Sequence, residues 1–109
     1  MEKITRFYVG LQDKKMENQI KNPEEVLSFC KKTFEGFTAY EGRGGWKGST
    51  ENSLIIEVVD LENSIIDESL KAGIEESNKS EKEFLKESLE DLFNQESVMT
   101  VELMGDVQF

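Results

Sequence analysis

Two stretches of the chain alternate apolar and polar residues with a period of two, the pattern of a β-strand. The first is Ile4–Leu11 and the last is Glu96–Met104. Between them, Ser53–Val59 is nearly continuously apolar. Such a run is typical of a strand with neighbours on both sides, so we expect it at the centre of a sheet.

A further strand is predicted to begin at Phe37–Tyr40, but glycines interrupt the pattern after it. The segment Gly42–Gly48 holds four glycines and is expected to bulge or turn. Ser49–Asn52 is expected to be a polar turn that leads into the central strand. Gln12–Lys21 is polar and is predicted to be a loop.

Two segments show helical spacing of apolar residues between recognisable caps. The first helix is predicted to begin at Asn22 and to stop at Gly36 in a left-handed conformation. A capping box predicts that the second begins at Ser80. An additional short helix is expected within 61–79, with Ser64 as its cap.

The resulting order β-α-β-β-(α)-α-β predicts an α+β fold. Two split βαβ halves of this kind form a ferredoxin-like βαββαβ sandwich, a four-stranded antiparallel sheet with helices on one face. The chain has 109 residues, which suits one domain with one core, so we expect 1–109 to form a single ferredoxin-like domain.

Charge is distributed unevenly between the two halves of the chain. Residues 1–50 hold nine Lys/Arg against seven Asp/Glu, whereas residues 51–109 hold four against 16. The second half therefore repels nucleic acids and membrane surfaces and attracts basic protein surfaces. We expect no direct nucleic-acid or membrane binding.

The residues available for chemistry are few. The chain has no His, which excludes Ser–His and Cys–His nucleophile systems. A single Cys30 cannot build a zinc site, and its place among apolar residues predicts an inert core thiol in a reducing compartment. The sequence therefore predicts a cytoplasmic protein without catalytic residues, cofactor or metal, and not an enzyme.

The helical part of the acidic half offers a candidate binding surface. Between Asp60 and Asp91 the chain holds 11 Asp/Glu against four Lys. This density is either a solvated helical face or a phosphate mimic that occupies a basic groove on another protein. The candidate partner-binding residues are Glu75, Glu76, Glu83, Glu87, Glu90 and Asp91.

The glycine-rich segment offers an alternative site. Arg43, Trp46 and Lys47 could grip an anion or stack on a base, although their spacing matches no phosphate-binding motif. The alternative function is thus an oligomeric module that binds a small anionic ligand such as a nucleotide. A homodimer through the open sheet face is expected for it, and an enzyme built on a dimeric α+β barrel is a third reading.

Several short motifs resemble those of small uncharacterised bacterial and phage domains with a ferredoxin-like fold. The motifs are Phe7–Leu11, Gly36–Thr38, Gly45–Trp46 and Gln95–Val98. In general character the chain is also similar to acidic phage or plasmid anti-defence proteins of the anti-CRISPR type. Together with the charge, this implies a non-enzymatic inhibitor or adaptor from a phage or mobile element, which binds a basic nucleic-acid-handling protein in the host cytosol.

Overall fold

The structure is a computed structural model that describes residues 1–11, 22–46, 48–93 and 98–106. It contains a four-stranded antiparallel sheet with helices packed against it, which confirms the predicted α+β fold. The elements in chain order are β1 (Glu2–Gly10), α1 (Pro23–Thr33), β2 (Thr38–Trp46), β3 (Ser49–Val59), α2 (Leu61–Ser64), α3 (Glu68–Ser77), α4 (Glu81–Leu92) and β4 (Met99–Gly105). The loop predicted over Gln12–Lys21 lies outside the described residues.

The strands lie in the order β2-β3-β1-β4, so the first and third strands are central, which confirms the central position predicted for Ser53–Val59. Arg6 pairs with Glu57 on one side and with Val101 on the other. Because side chains alternate along a strand, these three residues share one face of the sheet. We call this side, which the helices do not cover, the open face.

The core lies between the other face of the sheet and the helices. Phe7 and Ile56 point into it from the two central strands and are fully buried. Val26 and Cys30 reach it from α1, and Leu89 from α4. The apolar residues that recur every two positions in the strands, and about every four positions in the helices, therefore pack into one cluster.

The predicted helix caps at Asn22 and Ser80 are confirmed. The Asn22 side chain accepts a hydrogen bond from the Glu24 backbone N–H at the start of α1. Ser80 accepts one from the Glu83 N–H at the start of α4. The predicted stop at Gly36 is wrong, because α1 ends at Thr33 and the next residue is already extended.

The hairpin between β2 and β3 is longer and more regular than predicted. Gly42 and Gly44 pair in register with β3, and Ser49–Asn52 is strand where a polar turn was expected. Gly48 adopts a φ of +80° at the turn, a conformation that favours glycine. A Cβ on Gly42 would lie 2.7 Å from Ile55 Cδ1, so the end of that side chain would have to move.

The segment 61–79 forms two helices where one short helix was predicted. Ser64 ends the first of them and does not cap a helix; its hydroxyl donates to the Val59 and Asp60 carbonyls. Asp67 is the actual cap of α3, accepting a hydrogen bond from the Leu70 N–H. None of the helices in the described ranges is long and apolar enough to cross a membrane.

Candidate functional site

Three polar side chains form a hydrogen-bonded cluster on the open face, one from each of three adjacent strands. Arg6 on β1 donates through Nε to Glu57 Oε1 on β3 at 2.5 Å. The hydroxyl of Tyr40 on β2 donates to the same oxygen at 2.8 Å. Glu57 is thus held from both sides by its neighbours in the sheet, and we call these three residues the Glu57 cluster.

The strand register explains why the cluster forms. Arg6 lies directly opposite Glu57, and Thr38 lies opposite it on the other side. Tyr40 is opposite Ile55, two residues along the same face, from where its long side chain reaches Glu57 diagonally. A shift of either strand by one residue would turn its member of the cluster to the core side.

The hydrogen bonds to Glu57 raise the pKa values of its two partners, the Tyr40 phenol and the Arg6 guanidinium, and so reinforce their ordinary protonation states. Tyr40 therefore stays a neutral donor near pH 7, and Arg6 stays charged. Among the described residues nothing donates to Glu57 Oε2, so one carboxylate oxygen remains able to bind a ligand.

A groove of about 590 Å³ extends from Glu57 to the corner where β3 ends. Glu57 and Val59 belong to its lining, as do the half-buried ring of Phe37 and the backbone at Gly36. Three further carboxylates line it, and no Lys or Arg does: Glu2, Glu35 and Asp60. An acidic groove with apolar and aromatic walls suits a ligand that combines a positive charge with a flat apolar part.

Exposed apolar side chains lie beside the Glu57 cluster on the β4 side of the open face. Met99 is 56% exposed and Leu103 is 37% exposed, and Tyr40 of the cluster itself is 42% exposed. Val101 lies between the two β4 residues, opposite Arg6. A polar cluster within an apolar surface is typical of a site that another molecule covers.

The acidic residues predicted to bind a partner lie on α3 and α4, in the layer that packs on the opposite side of the sheet. Glu75, Glu76, Glu83 and Asp91 are exposed. Glu87 forms a salt bridge with Lys79. The raised pKa of Lys79 reflects first this contact and then the charges of its acidic neighbours on α4.

Glu90 has a structural role that the sequence did not reveal. Its Oε2 accepts hydrogen bonds from Lys86 Nζ at 2.6 Å and from the Val98 N–H at 2.8 Å. These contacts tie α4 to the start of β4. Glu90 is therefore occupied within the fold, whereas the exposed carboxylates around it remain a predicted partner surface.

The alternative ligand site is only partly described. Arg43 is exposed on β2 opposite Asn52, and the backbone of Trp46 ends the same strand. Lys47 lies outside the described residues. Arg43 does not line the groove beside Glu57, so the described structure does not join these two sites.

Sequence reasoning missed the Glu57 cluster, although one signal was present. Glu57 is the single charged residue in the predicted central strand. Arg6 lies in the first strand, on the side opposite to Phe7. A charge at the centre of a sheet face points to a partner nearby.

Among the described residues, no group of three or more potential ligands could hold a metal ion.

Comparisons with known proteins give one similarity in fold. No protein family matches the sequence, and no curated protein matches it. Among solved structures, the chain is similar to a phage SAM lyase in its apo state, with a TM-score of 0.54 and 24% sequence identity. The similarity covers 93% of this chain and 78% of that chain.

This comparison corrects one prediction from the sequence. The prediction that the chain is not an enzyme is wrong, because the structure it resembles over nearly its whole length is that of an enzyme. The prediction depended on the lack of His and of familiar motifs. The Glu57 cluster shows that a carboxylate, a phenol and a guanidinium can meet in one site without either.

Proposed function

We propose that this protein is an enzyme that cleaves S-adenosylmethionine (SAM) as a lyase, with the Glu57 cluster and its groove as the active site. The observation that supports the proposal most directly is the acidic groove that begins at Glu57, in a fold similar to that of a phage SAM lyase. SAM carries a sulfonium, an ammonium and a carboxylate, and therefore a net positive charge. Its adenine is flat and apolar.

The groove and the cluster match these groups one by one. Glu57 Oε2 accepts a hydrogen bond from the substrate ammonium, while Glu57 Oε1 accepts hydrogen bonds from Arg6 and Tyr40. The guanidinium of Arg6, which lies beside Glu57, pairs with the substrate carboxylate. Phe37 offers an aromatic surface for adenine, and the other groove carboxylates favour the cation electrostatically.

The chemistry requires little acid–base assistance, which explains how a protein without His could perform it. When a carbon–sulfur bond of the sulfonium breaks, the bonding electron pair goes to sulfur, which leaves as a neutral thioether, and the carboxylate oxygen of the same substrate forms the new bond to that carbon and closes a lactone. The leaving group therefore needs no proton from a general acid. The enzyme contributes by binding the cation, fixing its conformation and excluding water.

The test measures loss of SAM and formation of a thioether product by the purified chain, using liquid chromatography with mass spectrometry. The Glu57→Gln variant removes the charge that binds the ammonium and should lower turnover by about tenfold or more. Glu51→Gln is the matched control, since Glu51 lies on the same strand and face. Stable SAM in the presence of the wild-type protein, or full activity in Glu57→Gln, contradicts the proposal.

The biological part of the proposal is an anti-defence role for a phage or mobile element. An enzyme that removes SAM deprives methylating defence systems of their methyl donor, so inhibition of defence would follow from catalysis and not from mimicry. The proposed place of action is the host cytosol, in line with the unpaired, buried Cys30. Binding of the exposed carboxylates to a basic protein stays a prediction.

We also propose that a second copy of the chain covers the β4 side of the open face and leaves the groove beside Glu57 accessible to SAM. Met99 and Leu103 are exposed there, next to the Glu57 cluster, which balances its own charges. Residues 61–92, by contrast, hold ten Asp/Glu against four Lys on the helical side. Contact through the open faces places the two acidic layers far apart, where their repulsion is screened.

Light scattering coupled to size exclusion measures this association. The wild-type chain should elute with at least twice the monomer mass, and Leu103→Lys should shift it to the monomer. Ile66→Lys is the control, because Ile66 is an exposed apolar residue, 48% accessible, outside the open face. A monomeric wild-type chain refutes this part of the proposal and leaves the test with SAM unaffected.

A further inference from the structure

A second cleft lies on the side of the sheet opposite the Glu57 cluster. It has a volume of about 270 Å³ and is bounded by the first half of β1, by β4 and by the first turn of α4. Lys3 and Thr5 on β1 both line it, and Glu102 lies opposite Thr5 on β4. The size is that of a site for a small molecule of a few heavy atoms.

Thr5 gives the first indication that this cleft binds a polar ligand. The residue is fully buried, and among the described residues its Oγ1 has no hydrogen-bond partner. A buried hydroxyl without a partner is costly and rare in native proteins. Because Thr5 lines the cleft, a ligand held there that accepts a hydrogen bond would supply the missing partner of this hydroxyl.

The charges that line the cleft give the second indication. Lys82 and Glu102 face each other at 3.6 Å and largely balance. Lys3 has no salt-bridge partner within the described part of the chain, and the same holds for Asp60, Glu62 and Glu81. One lysine and three carboxylates without a salt bridge thus line the same small space, and Asp60 accepts hydrogen bonds from the Asn63 amide.

We propose that this cleft binds a free α-amino acid in its zwitterionic form. The ligand carboxylate pairs with Lys3, and the ligand ammonium lies between Glu62 and Glu81. Thr5 Oγ1 donates its hydrogen to the ligand carboxylate. A simple anion would meet the three carboxylates of Asp60, Glu62 and Glu81, and a simple cation would leave Lys3 and Thr5 without partners, so the zwitterion satisfies the site best.

The full chain is titrated with L-alanine while the backbone amide resonances are followed by NMR. Propionate and ethylammonium serve as half-ligands, since each lacks one of the two charges of L-alanine. We expect the resonances around Lys3, Thr5 and Glu102 to shift with L-alanine at millimolar concentration, and neither half-ligand to reproduce the shift. Absence of any shift, or an equal shift with a half-ligand, overturns the proposal.

Two variants test the individual contacts. Thr5→Val keeps the shape and loses no hydrogen bond within the fold, so it should fold normally and bind L-alanine about fivefold more weakly. Lys3→Met should weaken binding about tenfold or more, whereas Lys71→Met, an exposed lysine on α3, should not change it. Unchanged binding of L-alanine by Thr5→Val would mean that water, and not the ligand, is the hydrogen-bond partner of the Thr5 hydroxyl. That result would refute the site.

The site is independent of the proposed lyase activity. Glu57→Gln should bind L-alanine as tightly as the wild-type chain, because Glu57 lies on the other face of the sheet. If SAM is not cleaved but L-alanine still binds, the proposed function fails and this site stands. If Glu57→Gln loses L-alanine binding, the ligand occupies the open face and the proposed cleft is wrong.

Discussion

Replacing Glu90 by Gln tests whether one buried carboxylate holds α4 to the start of β4. The Glu90 side chain is only 16% exposed, and its Oε2 accepts hydrogen bonds from Lys86 Nζ and from the Val98 N–H. Gln keeps the shape and can still accept one hydrogen bond, but it lacks the charge. The substitution therefore isolates the charged part of these two contacts.

The size of the effect follows from the chemistry of the two contacts. Burial acts to raise the pKa of Glu90, yet the hydrogen bonds from Lys86 and Val98 hold it below the ordinary value of 4.5. Loss of the charge should lower the free energy of unfolding by about 1–2 kcal/mol at pH 7. For a chain of this length, that corresponds to a melting temperature lower by about 5 °C.

The pH dependence gives the sharper test. Because folding lowers the pKa of Glu90, its contribution is complete above the unfolded value near 4.5 and is lost as the pH falls through the folded pKa. Urea unfolding of both proteins at pH 7 and at pH 3 should therefore show a difference that shrinks at pH 3. Glu68→Gln, whose side chain is 87% exposed, should change stability little at either pH.

Two results would refute this reasoning about Glu90. A difference between wild type and Glu90→Gln that is equal at pH 7 and pH 3 would mean that charge plays no part. A stability of Glu90→Gln equal to that of the wild type at pH 7 would mean that the contacts with Lys86 and Val98 are not held in solution.

Three further predictions concern the core, the thiol and the hairpin. Leu89→Ala removes a fully buried side chain and should lower the free energy of unfolding by about 2–5 kcal/mol in urea titrations; a cost near zero contradicts the described core. Burial raises the pKa of the Cys30 thiol to about 12, so an aromatic disulfide reagent at pH 8 should label this thiol only after unfolding. Rapid labelling of the native chain would contradict the buried position of Cys30. Gly48→Ala forces a side chain into a φ of +80° and should cost about 1 kcal/mol, measured by thermal melting, whereas an unchanged melting temperature contradicts that backbone conformation.

The fold was predictable because its main signals are local. The alternation in Ile4–Leu11 and the caps at Asn22 and Ser80 each depend on residues close together in the chain, and these predictions agree with the structure. The hairpin was harder, because glycines carry no side-chain pattern. Pairing with β3 organises Gly42–Gly45 as regular strand, and only the distant partner shows this.

The candidate site could not be assembled from the sequence, because its members meet only through strand register. Arg6 and Glu57 are 51 residues apart, and Tyr40 is 17 residues from Glu57. The sequence placed each on a strand but gave no means of aligning the strands to one another. The acidic charge of the second half led to a predicted binding surface on the helices, whereas the Glu57 cluster lies on the sheet.

The short helix α2, which follows β3, and Ile65 after it also shape the rim of the groove beside Glu57. An isolated bridge joins Phe34 to Ile65, and the Glu35 N–H donates to the Ser64 carbonyl. Both Glu35 and Ser64 line the groove. A related sandwich in which β3 ran straight into α4 would lose this rim and hold a shallower depression. Diversity in that connection is thus a route by which one scaffold acquires or changes its choice of small molecule.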